Sequence, residues 1–249
     1  MPGQSAQFIV SISLIIFSAA FLQSFSGFGF SLVAVPLITL QLQPRIAIPL
    51  LIVYSVLINL TVLLSTARHF RLRDVWLLFP SGLAGLPLGT YLLLNLNDNL
   101  LKLLIGVFIV LFGSLFLVNF SSIAATKKPI QITAGFISGI LCSSISLSGP
   151  PIILFLTNKH VGKNYFRSTL AAYFLFLNLI TVILYLKTGL LDREITDLIP
   201  KFLPALVAGI AVGAVIAQKV KEVRFRHFVI ILLLITGVFL IISALNRIL

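Results

Sequence analysis

The sequence predicts an all-α polytopic membrane protein with two inverted-topology repeats, each a broken or re-entrant helical hairpin followed by three transmembrane helices. Three observations support this prediction. Of the 249 residues, 59% are hydrophobic and only 10% are charged, whereas a soluble domain carries about 25% charged residues. Apolar segments long enough to cross a bilayer recur along the chain. The two halves of the chain also share a spaced pattern of proline, glycine, tyrosine and asparagine.

Six apolar segments have the length of a membrane-spanning helix, which is roughly 20 residues. Charged and turn residues delimit them as 46–66, 75–95, 101–120, 165–187, 199–218 and 227–246. Two further segments, 7–42 and 129–158, are too long for one span, and each is interrupted near its middle. Their arms, about 17 and 12 residues and then about 14 and 9, are mostly shorter than a full span. We therefore expect two helical hairpins, and the sequence leaves open whether they are re-entrant or fully spanning.

The distribution of basic residues predicts the orientation in the membrane. Twelve of the 18 Lys and Arg residues lie in loop 67–74, in the linker, and in the loops after 158 and 218, while four of the six acids lie on the opposite side. Since Lys and Arg are enriched in cytoplasmic loops, both termini should be extracytoplasmic. The first ten residues contain no Lys or Arg, so we expect them to belong to the first helix rather than to a signal peptide.

An internal repeat is visible as two sets of matching positions. The segments PSGLAGLPLG (80–89) and PALVAGIAVG (204–213) align without gaps at one proline, one alanine and two glycines. Upstream, the pairs Tyr54/Tyr173 and Asn59/Asn178 match at a constant separation of 119. These matches predict one membrane domain made of repeat 1 (1–121), a cytoplasmic linker (122–128) and repeat 2 (129–249).

The repeats should be inverted, because three spans reverse the side from which the next hairpin enters. Inverted repeats are a common plan of secondary transporters, in which broken helices meet at the substrate site.

Serine and glycine occupy the middle of both hairpins, and these tips, 24–31 and 142–151, are predicted to bind a substrate. Irregular backbone at membrane depth is tolerated where it is buried in protein or lines a wet cavity. Each tip begins a helix, whose free N–H groups together with nearby hydroxyls favour an anion. The predicted substrate-binding residues are Ser24, Ser26, Gly27, Phe28, Gly29, Ser31, Ser143, Ser144, Ser146, Ser148, Gly149, Asn59 and Asn178.

Structural alternatives exist for these polar and small residues. Small residues let membrane helices pack closely, and we expect this role for the pairs 85/89 and 209/213, all glycines. The two span asparagines either join helices by hydrogen bonds or face the cavity.

Other residues near the tips are expected to be structural. Tyr54 and Tyr173 should pack beside the hairpins. Cys142, the only cysteine, is expected to be an inert buried thiol. Arg167 should anchor the cytoplasmic end of its span, with attraction of anions to the mouth of the pathway as a second interpretation.

The acidic residues narrow the class of function. All six lie in loops or at span ends, so no carboxylate or histidine is predicted at the midplane, where proton relays and cation sites usually need one. We therefore predict no enzyme activity, no cofactor and no metal site. The net charge of +12 fits contact with anionic lipid headgroups, so the bilayer is the expected partner and nucleic acid is not. The sequence leaves homo-oligomerisation open.

The tip sequences resemble a known family. SGFGFSLVAVPLI at the first tip, SLSGPPIILFL at the second, and the following FRSTLAAYFLFLN are similar to signature regions of the sulfite exporter TauE/SafE family, also called the TSUP family. The resemblance covers nearly the whole chain, although Phe28 and Phe30 stand where the family often has further glycines.

The resemblance implies secondary transport of a sulfur-containing anion, such as sulfite, sulfoacetate or another organosulfonate. We expect the anion near the midplane, between the two tips. An anion channel, a carrier for another small anion or carboxylate, and a membrane assembly protein without transport are the alternatives.

Overall fold

The computed structural model describes residues 6–69, 76–117, 128–157, 162–216 and 234–245. Within these ranges every long regular element is an α-helix. The helices are α1 (Ala6–Ser26), α2 (Phe30–Thr39), α3 (Pro44–Thr66), α4 (Leu78–Asn95), α5 (Asp98–Leu117), α6 (Lys128–Ile145), α7 (Gly149–Thr157), α8 (Lys163–Thr188), α9 (Arg193–Ile216) and α10 (Leu234–Leu245). A single 3-10 turn, Ala67–His69, follows α3.

Five helices, α1, α3, α5, α8 and α9, are long and apolar enough to cross a membrane. Their outer faces carry large aliphatic side chains that are at least half exposed, among them Leu14, Leu64, Leu111 and Leu186. Such faces are stable when the surrounding solvent is hydrocarbon. The predicted all-α polytopic membrane class is confirmed.

Each predicted hairpin consists of a long and a short helix. Ser11, near the start of α1, donates a hydrogen bond to Oε1 of Gln41, beyond the end of α2, over 2.7 Å, so the chain folds back on itself. The arms of the first hairpin have 21 and 10 residues, and those of the second, α6 and α7, have 18 and 9. α1 therefore has the length of a full span and α2 does not.

The breaks between the arms are shorter than the predicted tips, and the first arms are correspondingly longer. Only three residues, 27–29 and 146–148, separate the helices. The flanking serines lie inside the helices, and their hydroxyls bond back to the preceding turn: Ser26 Oγ donates to the carbonyl of Leu22 over 2.8 Å. Ser144 Oγ does the same to Ile140 over 2.7 Å, as serine often does inside helices.

The predicted span 199–218 begins too late. α9 starts at Arg193, because the carboxylate of Asp192 accepts the backbone N–H of Ile195 over 3.0 Å and caps the helix. Pro200 and Pro204 lie inside α9. The charges 192–197, which delimited the predicted span, are therefore the first turns of the helix.

Several predicted features fall outside the described residues. They are positions 70–74 of the first basic loop, 122–127 of the linker, Lys159, the basic loop after 218, the terminal residues 1–5 and 246–249, and the span positions 75, 118–120, 217–218 and 227–233.

The two halves of the chain pack into each other through glycines. A side chain at Gly213 in α9 would meet the carbonyl of Phe21 in α1, and one at Gly89 in α4 would meet the carbonyl of Ile140 in α6. Gly209 against Phe17 and Gly85 against Phe136 repeat the same arrangement one turn away. The predicted packing role of the two glycine pairs is confirmed.

This exchange of partners, α1 with α9 and α4 with α6, is what a two-fold relation between the halves requires. The equivalent hydrogen bonds agree with it: Ser24 Oγ donates to the carbonyl of Ile210 over 3.0 Å, and Ser143 Oγ to that of Leu86 over 2.7 Å. The residue boundaries of the repeats and their inversion across the membrane stay predictions.

The helices α3 and α8 pack side by side in the middle of the molecule. They carry Asn59 and Asn178, which are 1% and 3% exposed, against the two broken hairpins. Tyr54 in α3 donates to the carbonyl of Ile199 over 2.8 Å, and Tyr173 in α8 to that of Gly135 over 3.3 Å. These bonds give both tyrosines the structural role that the sequence predicts.

Candidate functional site

Both tips break their helices by the same backbone device. Gly27 has φ +87° and Ser146 has φ +58°, and these left-handed conformations end α1 and α6. The N–H of each bonds to the carbonyl four residues earlier, Gln23 and Cys142, over 2.7 and 3.1 Å. Because 27 and 146 are 119 positions apart, the two breaks are equivalent in the repeat.

A cavity lies between the two tips. It offers about 30 Å³ to the centres of water-sized molecules, where one water needs roughly 10–15 Å³. The residues that line it come from both hairpins and from α3 and α8: Gln23, Phe28, Gly29, Ser31, Leu32, Ser55, Asn59, Ser146, Leu147, Ser148, Gly149, Ile153, Phe174 and Asn178. These lining residues include no charged side chain. The cavity thus offers an ion hydroxyls, amides and backbone groups.

Eight of the predicted site residues line this cavity. They are Phe28, Gly29, Ser31, Ser146, Ser148, Gly149, Asn59 and Asn178. The hydroxyls of Ser31 and Ser146 lie 3.1 Å apart and bond to each other, so the two tips meet directly at the cavity. Sequence positions 115 residues apart are thereby brought into one site.

The other five predicted residues lie behind the cavity wall. Ser24 and Ser143 bond to the neighbouring helices α9 and α4. Ser26 and Ser144 bond to their own helices. Gly27 faces Arg167, since a side chain added at this glycine would meet the arginine Cγ.

Six lining residues are absent from the predicted set: Gln23, Leu32, Ser55, Leu147, Ile153 and Phe174. Gln23 carried a detectable signal, because it is the strongest hydrogen-bonding side chain in an otherwise apolar stretch. The apolar members carried none, since their place depends on how the helices rotate against one another.

An amide network holds the first tip. Gln23 Nε2 donates to Asn59 Oδ1 over 2.8 Å, and Gln23 Oε1 accepts the backbone N–H of Phe30 over 2.9 Å. Asn59 Nδ2 donates in turn to the carbonyl of Ser55 over 2.7 Å. Gln23 therefore ties the last turn of α1 to the first residue of α2 and to α3.

The second tip has a thiol in place of the glutamine. Cys142, equivalent to Gln23, is fully buried, and its Sγ donates to Asn178 Oδ1 over 3.2 Å. It also lies 3.7 Å from Thr181 Oγ1. The structural role predicted for this cysteine agrees with these contacts, and both asparagines serve as helix contacts as well as cavity lining.

Helix N-termini open onto the cavity from both sides. The first residues of a helix lack intrahelical acceptors for their N–H groups. Among the described residues, the backbone N–H groups of Ser31 and Leu32 in the first hairpin, and of Ser148 and Gly149 in the second, have no acceptor. All four residues line the cavity, so the site presents unpaired donors and the positive ends of two helix dipoles.

Arg167 and two aromatic rings close the first tip on one side. Arg167 Nη2 donates to the carbonyl of Ser24 over 2.9 Å, which places a cation at the carboxyl end of α1, where the helix dipole favours it. The rings of Phe28 and Phe166 meet edge to face, with centroids 6.1 Å apart. Arg167 therefore contacts the tip itself, beyond the anchoring role expected for the end of its span.

The profile of the family described as "Sulfite exporter TauE/SafE" matches residues 12–240, which is nearly the whole chain. The chain belongs to the sulfite exporter TauE/SafE family. No curated protein and no solved structure matches the chain significantly. Membership in the TauE/SafE family makes this chain a membrane transporter of the kind that handles sulfite or related anions.

The lining of the cavity in this TauE/SafE protein consists of neutral groups. Within the described part of the chain no cluster of three His, Cys, Asp or Glu side chains could hold a metal. Hydroxyls, amides and helix N-termini surround the small polar space and can donate hydrogen bonds. Buried donors without acceptors are costly, and an anion would satisfy several at once.

Proposed function

We propose that this TauE/SafE protein is a secondary transporter of a small sulfur-containing anion, sulfite or an organosulfonate such as sulfoacetate. It would act across the plasma membrane of a prokaryote, with both termini outside. The observation that carries the proposal is the cavity between the two tips, lined by unpaired N–H donors and by no charged side chain among the described residues.

The anion is held near the midplane, where the tips of the two hairpins meet. Ser31 and Ser146 contribute hydroxyls from opposite tips, only 3.1 Å apart. The N-termini of α2 and α7 add unpaired backbone donors from both sides. Neutral donors suit a transporter, because they stabilise an anion without the deep electrostatic well of a fixed cation and so permit release.

Alternating access would arise from movement of one hairpin against α3 and α8. Among the described residues, the two tips are joined by one hydrogen bond between the hydroxyls of Ser31 and Ser146. The glycines of α4 and α9, in contrast, pack closely against the backbone of α6 and α1. A tip can therefore separate from the other tip while its own hairpin stays attached to α9 or α4. Repeat-based rocking around a midplane site is the usual mechanism of inverted-repeat transporters.

Because the site contributes no charge, the transported species carries its own charge through the membrane. Flux of the anion should then respond to membrane potential, while any response to a pH gradient comes from protonation of the anion, as hydrogensulfite. Moving one charge through 100 mV corresponds to about 2.3 kcal/mol, which is easily detected as a change in rate.

The test is anion flux in proteoliposomes with sulfite, sulfoacetate, thiosulfate, sulfate, acetate and chloride, with and without imposed pH and potassium-diffusion gradients. We expect saturable sulfite or sulfonate flux with counterflow. Linear flux without counterflow would instead identify an anion channel, and the absence of any flux in monodisperse protein would refute the proposal.

A matched pair of serine variants ties the flux to the cavity. Ser31→Leu fills the cavity between the tips and should abolish saturable flux. Ser114→Leu makes the same change on the exposed face of α5, where Ser114 only bonds to its own helix, and should leave the flux unchanged. Equal flux in the two variants would place the substrate elsewhere.

A further inference from the structure

The two halves of the cavity differ in how the side-chain amides of Asn59 and Asn178 are bonded. In the first half, each side-chain amide donates one hydrogen bond: Gln23 Nε2 to Asn59 Oδ1, and Asn59 Nδ2 to the backbone carbonyl of Ser55. The N–H of Phe30 donates to Gln23 Oε1. This half holds itself together through its own amides.

The second half has the same geometry but fewer acceptors. Cys142 stands in place of Gln23, so it donates to Asn178 Oδ1 and has no amide oxygen to accept the N–H of Gly149, the equivalent of Phe30. Phe174 stands in place of Ser55 on the wall of the cavity.

Asn178 Nδ2 does not make the bond that Asn59 Nδ2 makes to the backbone carbonyl four residues earlier, and so, among the described residues, it is an unused donor. Asn178 is only 3% exposed and lines the cavity. Its oxygen accepts the Cys142 thiol, and no group among the described residues accepts a hydrogen bond from its Nδ2. The N–H groups of Ser148 and Gly149, at the start of α7, are also unpaired and belong to residues that line the same cavity.

We infer that the anion binds off the two-fold axis, against Asn178 Nδ2 and the N-terminus of α7, while Asn59 only braces the first tip. This inference rests on the proposed function and adds to it the residue that determines binding. An oxyanion is the matching ligand, since several of its oxygens can accept from the three clustered donors at once.

The start of α7 gives a second physical reason for the anion to bind in the second half of the cavity. Pro150 and Pro151 occupy its first turn, where the missing N–H groups of proline cost no hydrogen bond. They also fix φ and hold the start of the helix rigid. The unpaired N–H groups of Ser148 and Gly149 are thereby held in place before the anion arrives, which lowers the entropy lost on binding.

The matched test compares Asn178→Ala with Asn59→Ala, the equivalent change in the other half. Sulfite is the probe, measured by flux in proteoliposomes and by calorimetric titration of the detergent-purified protein. We expect Asn178→Ala to raise the sulfite KM and Kd at least tenfold, as loss of a hydrogen bond to a charged ligand does. Asn59→Ala should lower thermal stability, and its increase in KM and Kd should be at least threefold smaller than that of Asn178→Ala.

Asn178→Asp is a second variant that guards against a folding defect. It preserves side-chain size and the oxygen that accepts the Cys142 thiol, but it replaces the N–H donor by an oxygen. It should remain monodisperse and bind sulfite more weakly than Asn178→Ala, because two anions would face each other.

The outcomes separate this inference from the proposed function. Saturable flux in the wild type, with equal KM and Kd shifts in the two alanine variants or with no shift in Asn178→Ala, would overturn the asymmetric site and leave transport standing. Sulfite binding that is lost in Asn178→Ala, without flux in the wild type, would support the site and overturn transport. A wild type that neither binds nor transports sulfite would overturn both.

Discussion

The first and second hairpins share their packing and differ at their tips. Behind the tips, contacts recur at equivalent positions: serine hydroxyls bond to the carbonyls of α9 and α4, and glycines of those helices lie against the same turns of α1 and α6. At the tips, Gln23 is matched by Cys142, Phe28 by Leu147 and Arg167 by Ile48. The helix packing repeats in both halves of the molecule. A single bound anion, in contrast, needs a set of donors in only one half.

The glycine contacts offer the largest test of the shared packing. Gly89→Leu and Gly213→Leu each force a side chain against a backbone carbonyl of the partner helix. Each should cost about 3 kcal/mol or more and abolish the monodisperse peak in size-exclusion chromatography. Gly162→Leu is the control, because no atom of the described residues lies within 4 Å of a Cβ added there. Collapse of only one of the two glycine variants would break the equivalence of the hairpins.

Substitutions of Gly27 and Ser146, the two equivalent residues with positive φ, should change the stability by an intermediate amount. Gly27→Ala adds a Cβ at φ +87° and against Arg167 Cγ, and should destabilise the protein by about 2 kcal/mol. Ser146 already has a Cβ at φ +58° in the wild type. Ser146→Ala therefore loses only the hydroxyl bond to Ser31, which should lower the stability by about 1 kcal/mol. The readout is the apparent melting temperature in detergent. Equal shifts would contradict the role of Arg167 in filling the space beside Gly27.

The smallest effect concerns Arg167, which donates a hydrogen bond to Ser24 in the first tip. Arg167→Lys keeps the charge and loses the planar group that donates to Ser24, so the sulfite flux should fall about fivefold, equivalent to about 1 kcal/mol. Arg45→Lys is the control, since Arg45 donates to the carbonyls of Leu94 and Leu96 in an exposed loop contact. Its flux should match that of the wild type within about twofold, and an equal loss in both variants would exclude a specific role for Arg167.

Hydropathy and self-similarity were sufficient to predict the class of the fold and the residues of the tips that face each other. Ser31 and Ser146 meet at the cavity because positions that break apolar helices at equivalent points converge in a two-fold structure. The separation of 119 between Asn59 and Asn178 likewise predicted two related environments.

The other features of the site and the fold could not be predicted, because they depend on helix rotation, helix capping and packing. Ser24 and Ser143 look like tip serines, yet they bond to α9 and α4, because the rotation of each helix decides which face of a tip meets the cavity. The start of α9 was missed because a charged segment ended the apolar run, although Asp192 caps a helix that continues through it. Phe174 and Ile153 gave no signal, since an apolar cavity wall resembles any other membrane core.

The packing of α1 against α9 also affects the order in which helix contacts can form during synthesis. Ser24 and its acceptor Ile210 are 186 residues apart, so at ~5–20 residues per second the ribosome needs roughly 10–40 s to deliver the second after the first. During that interval α1 lacks its partner helix, and the glycine-lined groove that will receive it does not yet exist. The contacts between α1 and α9 therefore form late, after the helices of the first half have been synthesised.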